Sequence, residues 1–312
     1  MKQYIGIYLR GLAMGAADVV PGVSGGTIAF ITGIYAELVE SIGKLDAKAL
    51  QVLFKQGPVA FFKHVNGAFL LSLVLGIGTS IVALAKLITH LLATEPIKLW
   101  SFFFGLILAS AIYIGRQLSW KGIKEFLPLI FGIAAAYWIS TLSPSGGDVG
   151  MVYVFFSGAI AICAMILPGI SGSFILLLLG AYATVFGAIG NATDDLAGNL
   201  PIILAFMLGA GIGLLSFAKL LSWLFANHNT STMAVLTGFM IGSLNKVWPW
   251  KEVLSTRVNS KGEVVPLLER SVSPSTFTEL SGADPQMLYA GLFFVAGLVV
   301  VLLLSRFSPE DA

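Results

Sequence analysis

"VVPGVSGGTIAFITGIY", residues 19–35, and its near copy "ILPGISGSFILLLLGAY", residues 166–182, decide how this chain is read. Both are apolar, and both interrupt themselves: Pro21-Gly22-Val23-Ser24-Gly25-Gly26 in the first, Pro168-Gly169-Ile170-Ser171-Gly172-Ser173 in the second. Proline lacks an N–H and clashes with the preceding turn, and glycine costs backbone order, so each word ends a helix. The question is what a helix break, made twice, does in a chain this apolar.

The 312 residues are 57% hydrophobic and 11% charged, with a mean hydropathy of +0.90. Soluble domains carry roughly 25% charged residues, so water is not the expected surrounding. Apolar runs of about 18 residues or more recur, long enough to cross a hydrocarbon layer roughly 30 Å thick. The expected fold is an all-α polytopic membrane protein; the alternation of a membrane β-barrel is missing. A net charge of +2 gives no reason to expect nucleic acid as a partner. Cys163 is the single cysteine and cannot form an intramolecular disulfide; His64, His90 and His228 lack metal-ligand spacing. No metal or other cofactor is implied. Lys2 and Arg10 precede no small-residue cleavage site, so the N-terminus reads as uncleaved.

Around the first word lie two apolar arms, 4–17 and 27–42, each too short to span comfortably at 1.5 Å per residue. A re-entrant hairpin over 4–42 fits better, and non-helical backbone at that depth must be buried in protein or line a cavity. A basic segment, 44–66, follows with Lys44, Lys48, Lys55 and Lys63, expected on the membrane surface; then come spans over about 67–92, 99–115 and 125–142. The second half gives a hairpin over 151–190 and spans over about 200–225, 232–248 and 287–306. Between the last two, the polar insertion 249–286 alternates about an Asn-Ser-Lys-Gly turn, the pattern of an extramembrane β-hairpin. Trp248, Trp250, Tyr4 and Tyr8 read as interface anchors.

The two halves, 1–142 and 151–306, read as repeats. Pro21, Gly22, Ser24, Gly25, Gly33 and Tyr35 return 147 positions later as Pro168, Gly169, Ser171, Gly172, Gly180 and Tyr182. Farther on, the shift is 133: Leu75-Gly76 matches Leu208-Gly209, Ala85-Lys86-Leu87 matches Ala218-Lys219-Leu220, and Gly105 and Ser110 match Gly238 and Ser243. One re-entrant hairpin plus three spans is an odd number of crossings, so the second half enters from the opposite face. The basic residues agree: with both termini cytoplasmic, Lys2, Arg10, the four lysines of 44–66, Arg116, Lys121, Lys124 and Arg306 fall inside. The short outer loops carry Glu95 and Lys98, Asp148, and Asp194 with Asp195.

Inverted repeats with broken helices mark a transporter site at the bilayer midplane. A helix starting at Ser24-Gly25-Gly26-Thr27 has first-turn N–H groups without intrahelical partners and a partial positive charge. With Ser171, Gly172 and Ser173 opposite, the two turns are expected to cradle a phosphate or carboxylate; the alternative is tight helix crossing at small residues. Asp18 precedes the first word and meets Met165 in the repeat, which points to proton or cation coupling, with an N-cap as the alternative. Arg10 and Glu37 fall at similar depth in the hairpin, either as an ion pair or with Arg10 relaying an anion to the turn. Lys86 and Lys219 are repeat-equivalent, either snorkelling or gating; Glu40 reads as interfacial.

"GAADVVPGVSGGTIAFITGIY" and "MILPGISGSFILLLLGAY" resemble the bacterial and archaeal polyprenyl-phosphate transporter family, formerly the domain-of-unknown-function family 368, over about 1–306. The resemblance implies a flippase in the cytoplasmic membrane. It would move undecaprenyl phosphate from the outer to the inner leaflet and recycle the lipid carrier of peptidoglycan and other envelope polymers. It carries over Ser24, Gly25, Gly26, Ser171, Gly172 and Ser173 as headgroup residues, with Arg10, Asp18 and Glu37 as associates. H⁺ or Na⁺ as coupling ion stays open. Membrane lipid-pyrophosphate phosphatases share inverted re-entrant hairpins but have a Pro-Gly-x-Ser-Arg-Ser word. Here Gly25 and Gly172 replace the arginine that would stabilise a transferring phosphoryl group. A non-enzyme is therefore expected. A small-anion channel or carrier is the remaining alternative.

Overall fold

The helix that leads into the first word, α1 (Lys2–Asp18), is followed after it by α2 (Gly25–Ile31) and α3 (Tyr35–Gly43). Two shorter helices, α4 (Ala47–Gln56) and α5 (Pro58–His64), precede α6 (Gly67–Thr94), α7 (Pro96–Gln117) and α8 (Ile123–Thr141). The second half runs in the same order: α9 (Met151–Ile166), α10 (Gly172–Leu178), α11 (Tyr182–Gly190) and α12 (Leu196–Ser243). Strands β1 (Lys251–Val258) and β2 (Val264–Ser271), then α13 (Pro274–Ser281) and α14 (Met287–Ser305), complete the chain. The computed structural model describes residues 2–19, 23–118, 122–142, 150–192, 195–258 and 264–305. Pro21, Gly22, Lys121, Asp148, Asp194, the Asn-Ser-Lys-Gly turn, Arg306 and the side chains of Lys2 and Lys124 lie outside them.

Among the described residues three helices are long and apolar enough to cross a membrane: α6 over Gly67–Leu84, α7 and α12; α10 with α11, bent by 115°, would make a fourth. Shorter apolar helices lie at Phe126–Thr141, Met151–Ile166 and Met287–Leu303. At 48 residues, α12 would reach about 72 Å as one rod, more than twice a hydrocarbon core. Its backbone leaves helical geometry at His228 (φ −138°, ψ 43°), dividing it into limbs 196–227 and 229–243. The limbs overlap the stretches expected over about 200–225 and 232–248, but the second stops at Ser243. There Lys246 N–H bonds Ser243 O at 2.8 Å, tightening the last turn. The outward surface is oily: Val82, Phe131 and Leu288 are 83%, 65% and 74% exposed, as a lipid-facing surface requires.

The arm expected as one helix over 27–42 is two. At Gly33 (φ +72°) the chain turns left-handed; Gly33 N–H bonds Phe30 O and Ile34 N–H bonds Ala29 O. This is a Schellman stop, which glycine permits without a Cβ clash. Gly180 (φ +69°) does the same, with its own N–H to Leu177 O and Ala181 N–H to Leu176 O. Both glycines are in the repeated sequence.

Helix pairing follows glycines. A Cβ on Gly15 would come 2.6 Å from Ile77 O, and one on Gly11 would lie 3.1 Å from Gly76 Cα, so α1 and α6 touch backbone to backbone and run parallel. In the second half Gly158 meets Phe206 O at 2.6 Å and Gly213 meets Ala159 O at 2.6 Å, again with α9 parallel to the first limb of α12. Gly11 and Gly158 are offset by 147 and Gly76 and Gly209 by 133; Gly209 packs on Phe155 of α9. Two further close pairings cross between halves, α7 against α14 at Gly105 and Gly297, and α8 against α12 at Gly132 and Gly238.

Strands β1 and β2 pair antiparallel, Lys251 opposite Ser271 and Val258 opposite Val264, with a register shift at Ser255. The sheet is stitched to the helices by two indoles. Trp248 Nε1 donates to Val272 O at 2.8 Å and Trp250 Nε1 to Pro285 O at 2.9 Å. Trp250 is only 7% exposed, which corrects its reading as an interface anchor: it is packed in a cluster with Ile97, Ala290, Val272 and Phe277. Exposed Leu50, Phe54, Val59 and Phe62 alternate with Lys48, Lys55 and Lys63 along α4–α5, an amphipathic segment suited to an interface.

Candidate functional site

The first turn is closed by its own groups. Gly25 N–H donates to Asp18 Oδ1 at 2.6 Å and Gly26 N–H to Ser24 Oγ at 3.1 Å. Ser24 is the N-cap of α2 in extended geometry (φ −121°, ψ 133°), the usual role of serine there. Free amides were expected at this turn; Asp18 and Ser24 take up those of Gly25 and Gly26. The aspartate is seven residues upstream, beyond local capping patterns, so sequence spacing does not reveal the bond.

The same turn is tied to the second word. Ser24 O–H donates to Met165 O at 3.0 Å, and Gly169 N–H donates to Thr27 Oγ1 at 2.9 Å. Ser24 and Thr27 are 1% and 0% exposed. A Cβ on Gly26 would stand 2.5 Å from Ile166 O, so this glycine permits the two words to meet. The two stretches, 141 and 142 residues apart in those bonds, form one buried junction.

The second turn is more open. Ser171 is the N-cap of α10 without a side-chain capping bond; its hydroxyl instead pairs with Ser173 Oγ at 2.9 Å. Gly172 is buried, Ser171 half-buried and Ser173 exposed. Beside it stands a lysine that the sequence reading missed. Lys246 Nζ lies 4.5 Å over the Phe174 ring and 3.8 Å from Glu269 Oε2. Glu269 also faces Lys251 Nζ at 3.5 Å, and that ammonium sits 4.0 Å over the Trp100 ring. Burial pushes Lys251 down to about 8, with Glu269 pulling the other way. Ser140, Ser171, Phe174, Ser243 and Lys246 line a small recess at this turn. Next to it, a cleft of about 480 Å³ opens between α7, α8, the end of α12 and the hairpin. The signal for Lys246 is a charge in the last turn of an apolar span; the position 133 earlier is Tyr113, so no repeat marks it.

Arg10 is half-buried, and Glu37 is the acid whose field acts on its guanidinium. Glu37 is itself exposed and accepts from Asn66 Nδ2 at 2.8 Å, which also reaches Ser41 Oγ at 3.3 Å. Lys86 is exposed on α6 and Lys219 exposed on α12. Lys219 Nζ lies 3.6 Å from Asp46 Oδ2. The amides of Ala49 and Lys48, with Lys219, hold the Asp46 carboxyl below its ordinary range. Glu40 pairs with Lys44 at 2.7 Å on the surface. Among the described residues no group of three or more His, Cys, Asp or Glu could hold a metal ion.

Residues 14–265 match the family described as VCA0040-like, undecaprenyl phosphate translocase-like. The chain belongs to that family. A relative from Vibrio cholerae serotype O1, named polyprenyl-phosphate transporter, is 53% identical over 308 residues, covering 99% of this chain and 98% of its own. A second, of the same name, from Staphylococcus aureus, is 33% identical over 262 residues, covering 80% of this chain and 88% of its own. No solved structure matches this chain. Family membership and the apolar helices together make this a multi-pass membrane protein.

Proposed function

We propose that this protein carries undecaprenyl phosphate across the cytoplasmic membrane, from the outer to the inner leaflet, returning the lipid carrier for envelope synthesis. The observation that carries the reading is the junction of the two broken words inside an apolar helical body, with hydroxyls and a lysine at its open side. It is joined by the names of the two relatives, both polyprenyl-phosphate transporters.

On this reading the halves are inverted repeats, each a re-entrant hairpin plus three spans. The parallel course of α1 and α6 supports it: α2 to α5 must bring the chain back to the face from which α1 set out. Gly11 and Gly76 meet in the first half, and their counterparts Gly158 and Gly209 take close contacts in the second, on Phe206 and Phe155, which supports duplication. The phosphate docks at Ser171-Gly172-Ser173, and Ser24, Gly25, Gly26 and Thr27 brace that turn from beneath. Asp18 is the coupling carboxylate, for H⁺ or Na⁺, and its bond to Gly25 links its state to the junction. Arg10 relays the phosphate to the turn, and Glu37, Lys86 and Lys219 act in gating, with both termini cytoplasmic and the hairpin outside. Gly25 and Gly172 stand where the phosphatase word has arginine, which supports movement of the lipid rather than its cleavage.

The test is reconstitution of the purified protein in liposomes, following polyprenyl phosphate between leaflets. Faster movement than in protein-free vesicles is expected. Chloride flux without lipid movement would overturn the reading in favour of an anion channel.

A further inference from the structure

We infer that the cleft beside the second turn, together with the adjoining recess of Lys246, is a docking site for a single-chain isoprenoid phosphate, taking the first isoprene units against aromatic walls and the phosphate on the lysine. The inference rests on the proposed cargo and assigns it a place on the hairpin-bearing face.

The walls have the chemistry of an isoprenoid. Phe104, Ile133, Tyr137, Leu244 and Trp248 enclose about 480 Å³, within the range of roughly 300–1,000 Å³ for small-ligand sites. Polar groups gather at one edge, where Asn245 Nδ2 donates to Ser140 Oγ at 3.0 Å. Ser140 lines the neighbouring recess, so residues 242–246 and α8 form a wall common to cleft and recess. An occupant of the cleft with its polar end at Asn245 lies next to the recess of Lys246 and Ser171.

The charge at that end suits an anion. Glu269 is the one carboxylate set against two ammonium groups, 3.8 Å from Lys246 and 3.5 Å from Lys251. Lys251 is the nearer partner and the more enclosed, with 9% of its side chain exposed against 22% for Lys246. That leaves Lys246 the more loosely held and with charge to share. Ser171 and Ser173 add a donor: in a hydroxyl pair one proton is spent between the oxygens and the other remains to be given outward. Phosphate on Lys246 competes with Glu269, so the hairpin strand that carries Glu269 reports whether the site is filled.

Full-length protein in detergent, titrated by calorimetry with farnesyl phosphate, farnesol and inorganic phosphate, tests this. Farnesyl phosphate is expected to bind at least about tenfold more tightly than either of the others. Lys246→Met is expected to remove about tenfold from farnesyl phosphate affinity while leaving farnesol unchanged, and Lys246→Arg to restore it. Ile133→Trp, which fills the cleft, is expected to weaken both isoprenoids, and Glu269→Gln to tighten farnesyl phosphate severalfold. Equal affinity for inorganic and farnesyl phosphate would overturn the lipid assignment in favour of a free-phosphate site. Unchanged affinity in Lys246→Met and Ile133→Trp, with lipid movement intact in vesicles, would overturn the docking site and leave the proposed function standing. Failure of wild-type protein both to bind and to move the lipid would overturn the function itself.

Discussion

The first broken word and the second are near copies in sequence and opposites in use. At 24–27 every polar group described is committed inward: Gly25 to Asp18, Gly26 to Ser24, Ser24 to Met165, Thr27 to Gly169. At 171–173 the serines bond to each other at the edge of a recess, beside a lysine held by a shared carboxylate. Each turn also has one charge with no counterpart in the other, Asp18 against Met165 and Lys246 against Tyr113. Of two near copies, one can be the foundation and the other the contact, because a single buried junction needs only one side left accessible.

The largest effect expected from breaking this contrast is on Gly26→Val. With Ile166 O 2.5 Å from where a Cβ begins, the variant drives the words apart and loses about 3 kcal/mol or more. Ser173→Val, on the exposed copy, is expected to stay within about 0.5 kcal/mol. Thermal unfolding in detergent separates the two, and equal losses would show that the turns are not different in kind.

Next comes the serine pair. Ser24→Ala removes a cap and a buried bond to Met165, at about 1–2 kcal/mol. Ser171→Ala costs a few tenths of that but cuts lipid movement in liposomes severalfold. If both variants fail in the same assay to the same degree, stability and contact are not divided between the copies.

Asp18 sharpens the comparison from the other side. Asp18→Asn keeps an oxygen for Gly25 N–H, so it is expected to melt within about 1 kcal/mol of wild type while lipid movement falls about tenfold. Asp18→Ala loses on both counts. Full movement in the asparagine variant would reduce this residue to a cap.

The smallest effect is a pH dependence at the roof of the second turn. Lys251 titrates near 8 in the folded chain and near 10.5 when unfolded. Between those values the unfolded state holds more protons, so stability rises with pH and levels off above that range. Lys251→Met is expected to flatten that slope in melts between pH 8 and 10; an unchanged slope would place its origin elsewhere.

Much of this fold was legible because membrane crossing leaves long-range marks in a linear sequence. Apolar length located the long helices, and the doubled Pro-Gly-x-Ser-Gly word located both helix breaks. The stop at Gly33 was legible in principle, since Gly180 repeats it, but two apolar flanks hid a turn made by backbone bonds alone. Ser24 and Thr27 were singled out, yet their bonds to Met165 and Gly169 depend on contact between residues more than a hundred positions apart. Lys246 went unseen because its neighbours Phe174 and Glu269 converge only when the hairpin folds back over the helices.

The glycine grooves joining α7 to α14 and α8 to α12 have a consequence for biosynthesis. When a ribosome has released only the first half, the glycine faces of α7 and α8 have no partner, since the helices that pack on them are still untranslated. The nascent chain must wait for its own second half, and a stalled or truncated product carries two ready-made seams for which another copy could supply the missing helix.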